Sequence, residues 1–332
     1  MIDPSSSPRL WRRLILVTGC PRSGTSWLTA VMGEAEETAY MRYEPLMVKR
    51  HPPSPFGEKV LDWRRSNRWY RGWQNGGPSR VDAAAIRGHL EWLCQHYFDG
   101  PVDTLTIKDP RANYLEFLIH ALKPDLVVTI RRHPLGVVNS YDKDNLYHRW
   151  DVNREWQHFV KDLAAVMPDL VDGAGIVSWP AEKVAFIAHV SYKLLEQILS
   201  NIPHKIIDYE LLCLEPERQF GELYRWLGWR WDESVWDKIM PLVAPKPIKA
   251  TYSFRNLEKR SVERAYAWRR ELAPHIWRRV QQLFERLGFE YPFPGSSLPA
   301  LTAPEISAAR RVYFQRRVAY LRQWGIRGIT NR

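Results

Sequence analysis

The chain has 332 residues, enough for one large α/β domain or two small ones. It is 45% hydrophobic and 26% charged, the balance of an ordinary globular protein, and no apolar stretch is long enough to span a bilayer. A net charge of +11 favours anionic partners: nucleic acid, anionic lipid, acidic glycan or a highly charged nucleotide.

Residues 1–13 read as a short lead without the apolar core or cleavage site of a signal peptide. The cysteines, Cys20, Cys94 and Cys213, are widely spaced and odd in number, with neither disulfide nor metal spacing, which fits a cytoplasmic location. The chain carries no zinc finger, RNP-type strand or helix-turn-helix, so nucleic acid is not an expected partner.

Leu14-Ile15-Leu16-Val17-Thr18 is an apolar run suited to a strand buried on both faces. Gly19, Pro21 and Gly24 then turn the chain, and Trp27, Leu28, Val31 and Met32 have helical spacing. Strand, glycine loop and helix together form a cradle for a phosphate-like anion. The loop nearly matches the nucleoside-triphosphate P-loop, G-x-x-x-x-G-K-[ST], but Thr25 fills the lysine position. The cation of the loop is Arg22, three residues earlier. A kinase or ATPase without that lysine lacks its main contact to the β- and γ-phosphates.

Next, Thr38–Tyr43 reads as a short strand leading to Glu44-Pro45. Residues 48–80, rich in Pro, Gly, Trp and Arg, read as an irregular lid or a surface packing excursion. The tryptophans of 63–73 are candidates for lining a substrate cleft. Val81–Phe98 has helical spacing; Thr104–Lys108 is a strand, followed by a helix through Tyr114, Leu118 and Leu122. Leu126–Ile130 is a second buried strand. It ends in Arg131-Arg132, and a helix begins near Pro134. Helices are expected over 154–167, 181–200, 216–227, 232–240 and 260–287, with a strand at Lys205–Asp208. The alternation predicts an α/β fold, a parallel sheet flanked by helices on both faces, with sites at strand C-termini. A basic tail, 291–332, has near-helical apolar spacing. It either packs on its own domain or a neighbouring subunit, or makes peripheral contact with an anionic membrane.

Pro21-Arg22-Ser23-Gly24-Thr25-Ser26-Trp27 resembles the 5′-phosphosulfate loop of sulfotransferases that use 3′-phosphoadenosine 5′-phosphosulfate (PAPS). Arg132-His133-Pro134, with Ser140 eight residues after Arg132, resembles that family's 3′-phosphate motif. Ile207-Asp208-Tyr209-Glu210-Leu211-Leu212 is similar to its strand–Tyr-Glu-Asp-Leu–helix segment, with Leu211 replacing the usual acid. Trp268–Leu272 with Leu287-Gly288 resembles its closing helix. The resemblance covers residues 14–290 and implies a P-loop-like sulfotransferase domain there. It assigns Arg22, Ser23, Gly24, Thr25, Ser26 and Trp27 to the 5′-phosphosulfate and adenine. Arg132 and Ser140 go to the 3′-phosphate, Tyr209 to the adenine region, and Ser253 and Arg255 are weaker candidates for the phosphate.

The implied reaction moves a sulfuryl group from PAPS to an acceptor hydroxyl, leaving 3′-phosphoadenosine 5′-phosphate (PAP) and requiring no metal. Arg22 and Lys108 are the cations for the leaving phosphate; Lys108 matches a catalytic-site lysine of cytosolic sulfotransferases, or forms an ordinary ion pair with Asp109 or another carboxylate. Those enzymes have a histidine two residues on, where this chain has Pro110. Glu44 follows the loop much as the catalytic glutamate does in tyrosylprotein sulfotransferases. Golgi carbohydrate sulfotransferases share its Glu-Pro and the later Lys-Asp-x-Arg. Glu44 is therefore the expected base, with loop ordering or substrate binding as its other reading and His51 as a fallback base. The expected acceptor is a carbohydrate, glycolipid or other small hydroxyl compound. The competing classes are a P-loop kinase or ATPase and a non-catalytic basic nucleic-acid- or membrane-binding protein.

Overall fold

The computed structural model of the chain describes residues 10–66, 80–144, 146–149, 152–243 and 264–289. In chain order the elements are β1 (Trp11–Gly19), α1 (Thr25–Met32), β2 (Ala39–Tyr40), α2 (Gly57–Ser66), α3 (Arg80–Tyr97), β3 (Val102–Asp109), α4 (Leu115–Leu122), β4 (Leu126–Arg131) and α5 (Pro134–Lys143). They continue with α6 (Leu146–Arg149), α7 (Val152–Val166), α8 (Val171–Gly175), α9 (Pro180–Leu199), β5 (His204–Asp208), α10 (Tyr209–Leu214), α11 (Pro216–Leu227), α12 (Glu233–Val243), α13 (Ala267–Glu271) and α14 (Pro274–Leu287).

The strands form one parallel sheet in the order β2-β3-β1-β4-β5. Side chains alternate across β1, and both faces are dry. Leu14 and Leu16 join a core with α3, α4, α5, α9 and α14, whereas Ile15 and Val17 join a second with α1, α11 and α12. This two-sided burial is why the strand reads as an unbroken apolar run. Each of these fully buried side chains contributes about 1.5–3 kcal/mol.

Consecutive strands β3 and β4 lie on opposite sides of β1, which opens a crevice at the C-terminal edge, where α/β sheets bind ligands. The register aligns that edge: Thr18 pairs with Asp109, Gly19 with Ile130 and Arg131 with Asp208. The first loop, Lys108, Arg132 and Tyr209 therefore emerge on one rim.

Several boundaries differ from expectation. β1 begins at Trp11, so the lead ends earlier: Trp11 pairs with Val102 and is buried. The last long helix is broken into α13 and α14 at Ala273-Pro274, because proline disfavours helical backbone in the residue before it. The segment 48–80 is not wholly irregular, since α2 occupies part of it. Trp63 does not line a cleft: it is buried and stacks on Phe117 with centroids 4.0 Å apart. Trp69, Trp73, Ser253, Arg255 and the basic tail lie outside the described residues. No described helix is long and apolar enough to cross a membrane.

Candidate active site

The first loop is shaped by two left-handed residues, Arg22 (φ 74°) and Gly24 (φ 111°). Gly24 must be glycine for space as well, because a Cβ there would lie 2.7 Å from the ring of Tyr209. The loop amides divide into two groups. Ser23 N–H donates to Cys20 C=O (3.0 Å) and Trp27 N–H to Gly24 C=O (3.0 Å). The amides of Gly24, Thr25 and Ser26 have no acceptor among the described residues. They form the positive N-terminus of α1 and are the donors free for an anion. The Ser23 hydroxyl is buried with no partner among the described residues. Trp27 and Tyr209 are both buried, edge-to-face at 5.5 Å, with Trp27 Nε1 donating to Leu242 C=O (3.1 Å).

The second anchor is β4 and its exit. Arg131 is structural, bonding Asp208 (3.0 Å) and Glu196 (3.3 Å). The Tyr192 hydroxyl fixes the backbone of Arg132, accepting from its N–H and donating to its C=O, each at 3.0 Å. The Arg132 guanidinium lies 4.3 Å from the ring centroid of Tyr209 and donates to Arg22 C=O (3.1 Å). Its Nε is buried with no partner among the described residues. Gly136 permits this path, since a Cβ there would sit 2.8 Å from Arg132 Nε.

Behind Arg132, His133 N–H donates to Glu210 Oε1 (3.1 Å), and the His133 ring stacks on Trp268 at 4.7 Å. Burial, reinforced by Arg269 and Arg132, lowers His133 to a pKa of about 3. Burial raises Glu210 to about 7, opposed by Arg132. On α5, Ser140 Oγ accepts from Arg22 Nε (2.8 Å), and Arg22 also pairs with Asp144. Arg132 and Ser140 thus converge on Arg22 from separate elements.

The third group sits at the end of β3. Lys108 Nζ donates to Ser26 Oγ (2.7 Å) and lies 3.6 Å from Glu44 Oε1. Burial lowers the Lys108 pKa, and the neighbouring Glu44 opposes that shift. Asp109 is not its hydrogen-bond partner: that carboxylate takes Arg111 Nε at 2.7 Å. His51 bonds the Glu44 backbone carbonyl (2.9 Å). The rim therefore gathers three cations, Arg22, Lys108 and Arg132, around the free amides of α1. Two of them face carboxylates: Glu44 stands beside Lys108 and Asp144 beside Arg22. This set fits an anionic ligand.

A profile described as the sulfotransferase family matches residues 15–233. The chain belongs to that family. No curated protein sequence matches it. Solved structures similar to this sulfotransferase include the sulfotransferase domain of the Synechococcus PCC 7002 olefin synthase. That match has 15% identity and a TM-score of 0.46, and covers 84% of this chain and 96% of that one. The sulfotransferase domain of the curacin biosynthetic pathway has 15% identity and a TM-score of 0.40, covering 90% and 97%. Mouse sulfotransferase SULT7A1, complexed with PAP, has 16% identity and a TM-score of 0.44, covering 85% and 86%.

Every sulfotransferase site residue expected from the sequence lies on this rim or in its wall, save the two outside the described residues. Asp144, Gly136 and Tyr192 were not foreseen. Only Gly136 left a trace in the sequence, as a glycine inside a helical segment.

Proposed function

We propose that the protein transfers a sulfuryl group from PAPS to a hydroxyl of a carbohydrate, glycolipid or similar small acceptor. The observation that carries this reading is the hydrogen bond from Arg132 to the Arg22 carbonyl, which joins two separate anion-binding turns into one site. PAPS supplies the activated sulfuryl group. The free amides of Gly24, Thr25 and Ser26, with Arg22, hold its 5′ end, and Arg132 and Ser140 its 3′-phosphate. Their fit is supported by the buried Nε of Arg132, which has no partner among the described residues, and by the amides of Gly24, Thr25 and Ser26, which have no acceptor there. The resemblance sets the adenine beside Trp27 and Tyr209, whose rings brace one another.

In the reaction the acceptor oxygen bonds to sulfur as the bond from sulfur to the 5′-phosphate oxygen breaks. Glu44 takes the acceptor proton, and Arg22 and Lys108 neutralise the charge left on PAP. Lys108 also holds the Ser26 hydroxyl and faces the Glu44 carboxylate, so one cation orients both the cradle and the base.

The test is transfer of labelled sulfate from PAPS to a panel of methyl glycosides, a glycolipid and 4-nitrophenol. A sugar product is expected, with Glu44→Gln abolishing transfer while PAP affinity is kept. Product on the phenol alone would overturn the acceptor class, and full activity of Glu44→Gln would overturn the base.

A further inference from the structure

Glu44 belongs to no helix or strand, so no backbone ladder fixes it. Its carbonyl closes a turn by accepting from Met47 N–H at 2.8 Å, and two histidines add to that hold. His51 Nε2 bonds the Glu44 carbonyl at 2.9 Å, and His89 Nε2 bonds the Pro45 carbonyl at 3.0 Å. A carbonyl only accepts, so both rings must carry their proton on Nε2. The other nitrogens are also engaged: His51 Nδ1 with Tyr97 OH (3.1 Å) and His89 Nδ1 with Ser54 Oγ (2.9 Å). Ser54 Oγ already accepts from Phe56 N–H (3.1 Å), which leaves its own proton for His89.

The two rings stand edge to face, centroids 6.2 Å apart, and both are buried. Burial lowers both pKa values, that of His89 to about 4, so the rings stay neutral at physiological pH. In that state the Nδ1 lone pair of His51 faces the Tyr97 hydroxyl, so it is not available to an acceptor proton.

We propose that His51 and His89 are positioning residues, two neutral Nε2–H imidazoles that pin the Glu44-Pro45 peptides and so set the Glu44 carboxylate against Lys108. This inference rests on the reading of Glu44 as base.

Two measurements test it. Nitrogen-15 spectra of the full, histidine-labelled chain at pH 7.5 should show both rings as neutral Nε2–H tautomers. An Nδ1–H tautomer at either ring, or a doubly protonated ring at that pH, would overturn the assignment. The second is labelled-sulfate transfer to the most active acceptor of the panel. His51→Phe, which keeps ring size but loses the donor, should lower kcat about 10- to 100-fold, because a small misplacement of a reacting group is that costly. PAP affinity should be unchanged. His51→Gln and His89→Gln, whose amides replace Nε2–H, should recover most of kcat. If His51→Gln is as inactive as His51→Phe, the ring acts in chemistry and the proposal fails. If Glu44→Gln is dead but His51→Phe is fully active, the clasp alone is refuted. Full activity of Glu44→Gln would refute the base and the clasp together.

Discussion

Gly24→Ala is the substitution whose cost follows most directly from the site. Gly24 has φ 111°, outside the range an L side chain adopts comfortably. That strain costs about 1–2 kcal/mol. The new methyl would also sit 2.7 and 3.0 Å from two ring carbons of Tyr209 and 3.3 Å from Ile130 Cδ1. Tyr209 is buried and cannot swing away, so overpacking adds about 1–3 kcal/mol. A total of about 2–5 kcal/mol corresponds to a fall in Tm of roughly 3–7 °C for a chain of 332 residues. Arg132 rests on the same ring, so displacing Tyr209 also moves the second anchor, and PAP affinity should fall at least about tenfold, or 1.4 kcal/mol. Gly228→Ala is the control. It too has positive φ, 73°, but its Cβ would meet nothing within 4 Å. It should cost only about 1–2 kcal/mol and leave PAP binding alone. Thermal melts and calorimetry with PAP read both quantities. If the two variants melt together and bind PAP equally, the packing of loop, Tyr209 and Arg132 described above is wrong.

Two further outcomes follow from the buried charges. Lys108→Met keeps the length of the side chain but removes the cation between Ser26 and Glu44; kcat should fall about 10²- to 10³-fold, and PAP affinity in calorimetry should fall with it, because this cation is assigned to the leaving phosphate. Glu210 has a raised pKa in the folded protein, so the fold binds its proton more tightly than the unfolded chain does. Wild-type stability is therefore lost as pH rises from about 4.5 to about 7 and stays lower above that. Glu210→Gln lacks this slope, so urea melts should show it gaining on wild type, by a few kcal/mol at most, between pH 5.5 and 8. Parallel pH profiles would contradict the burial argument.

The parts of the site carried by backbone pattern were legible in the sequence. An apolar strand entering a glycine turn, and a second strand ending in Arg131-Arg132, could be read because strand burial and turn chemistry leave periodic, local marks. The parts made by long-range contact were not. The Arg132 side chain reaches Arg22 across 110 positions of sequence, and nothing local announces it. Trp63 could equally be a cleft or a core residue until its stacking on Phe117 was known. Lys108 followed by Asp109 looked like an adjacent ion pair, but neighbouring residues on a strand point to opposite faces. Lys108 turns to Glu44 while Asp109 takes Arg111. The histidine clasp was invisible for the same reason, since its members come from the Glu44 turn, a 3₁₀ turn and α3.

The central claim is that two anchors grip the two ends of one adenine nucleotide. Calorimetry of the wild-type protein with PAP, adenosine 5′-monophosphate and ATP, with and without magnesium, tests it most directly, alongside Arg132→Met. The account predicts tight, magnesium-independent binding of PAP, much weaker binding of the other two, and loss of the preference for PAP over the monophosphate in Arg132→Met. Equal affinity for PAP and the monophosphate in the wild type, or magnesium-dependent preference for ATP, would contradict it.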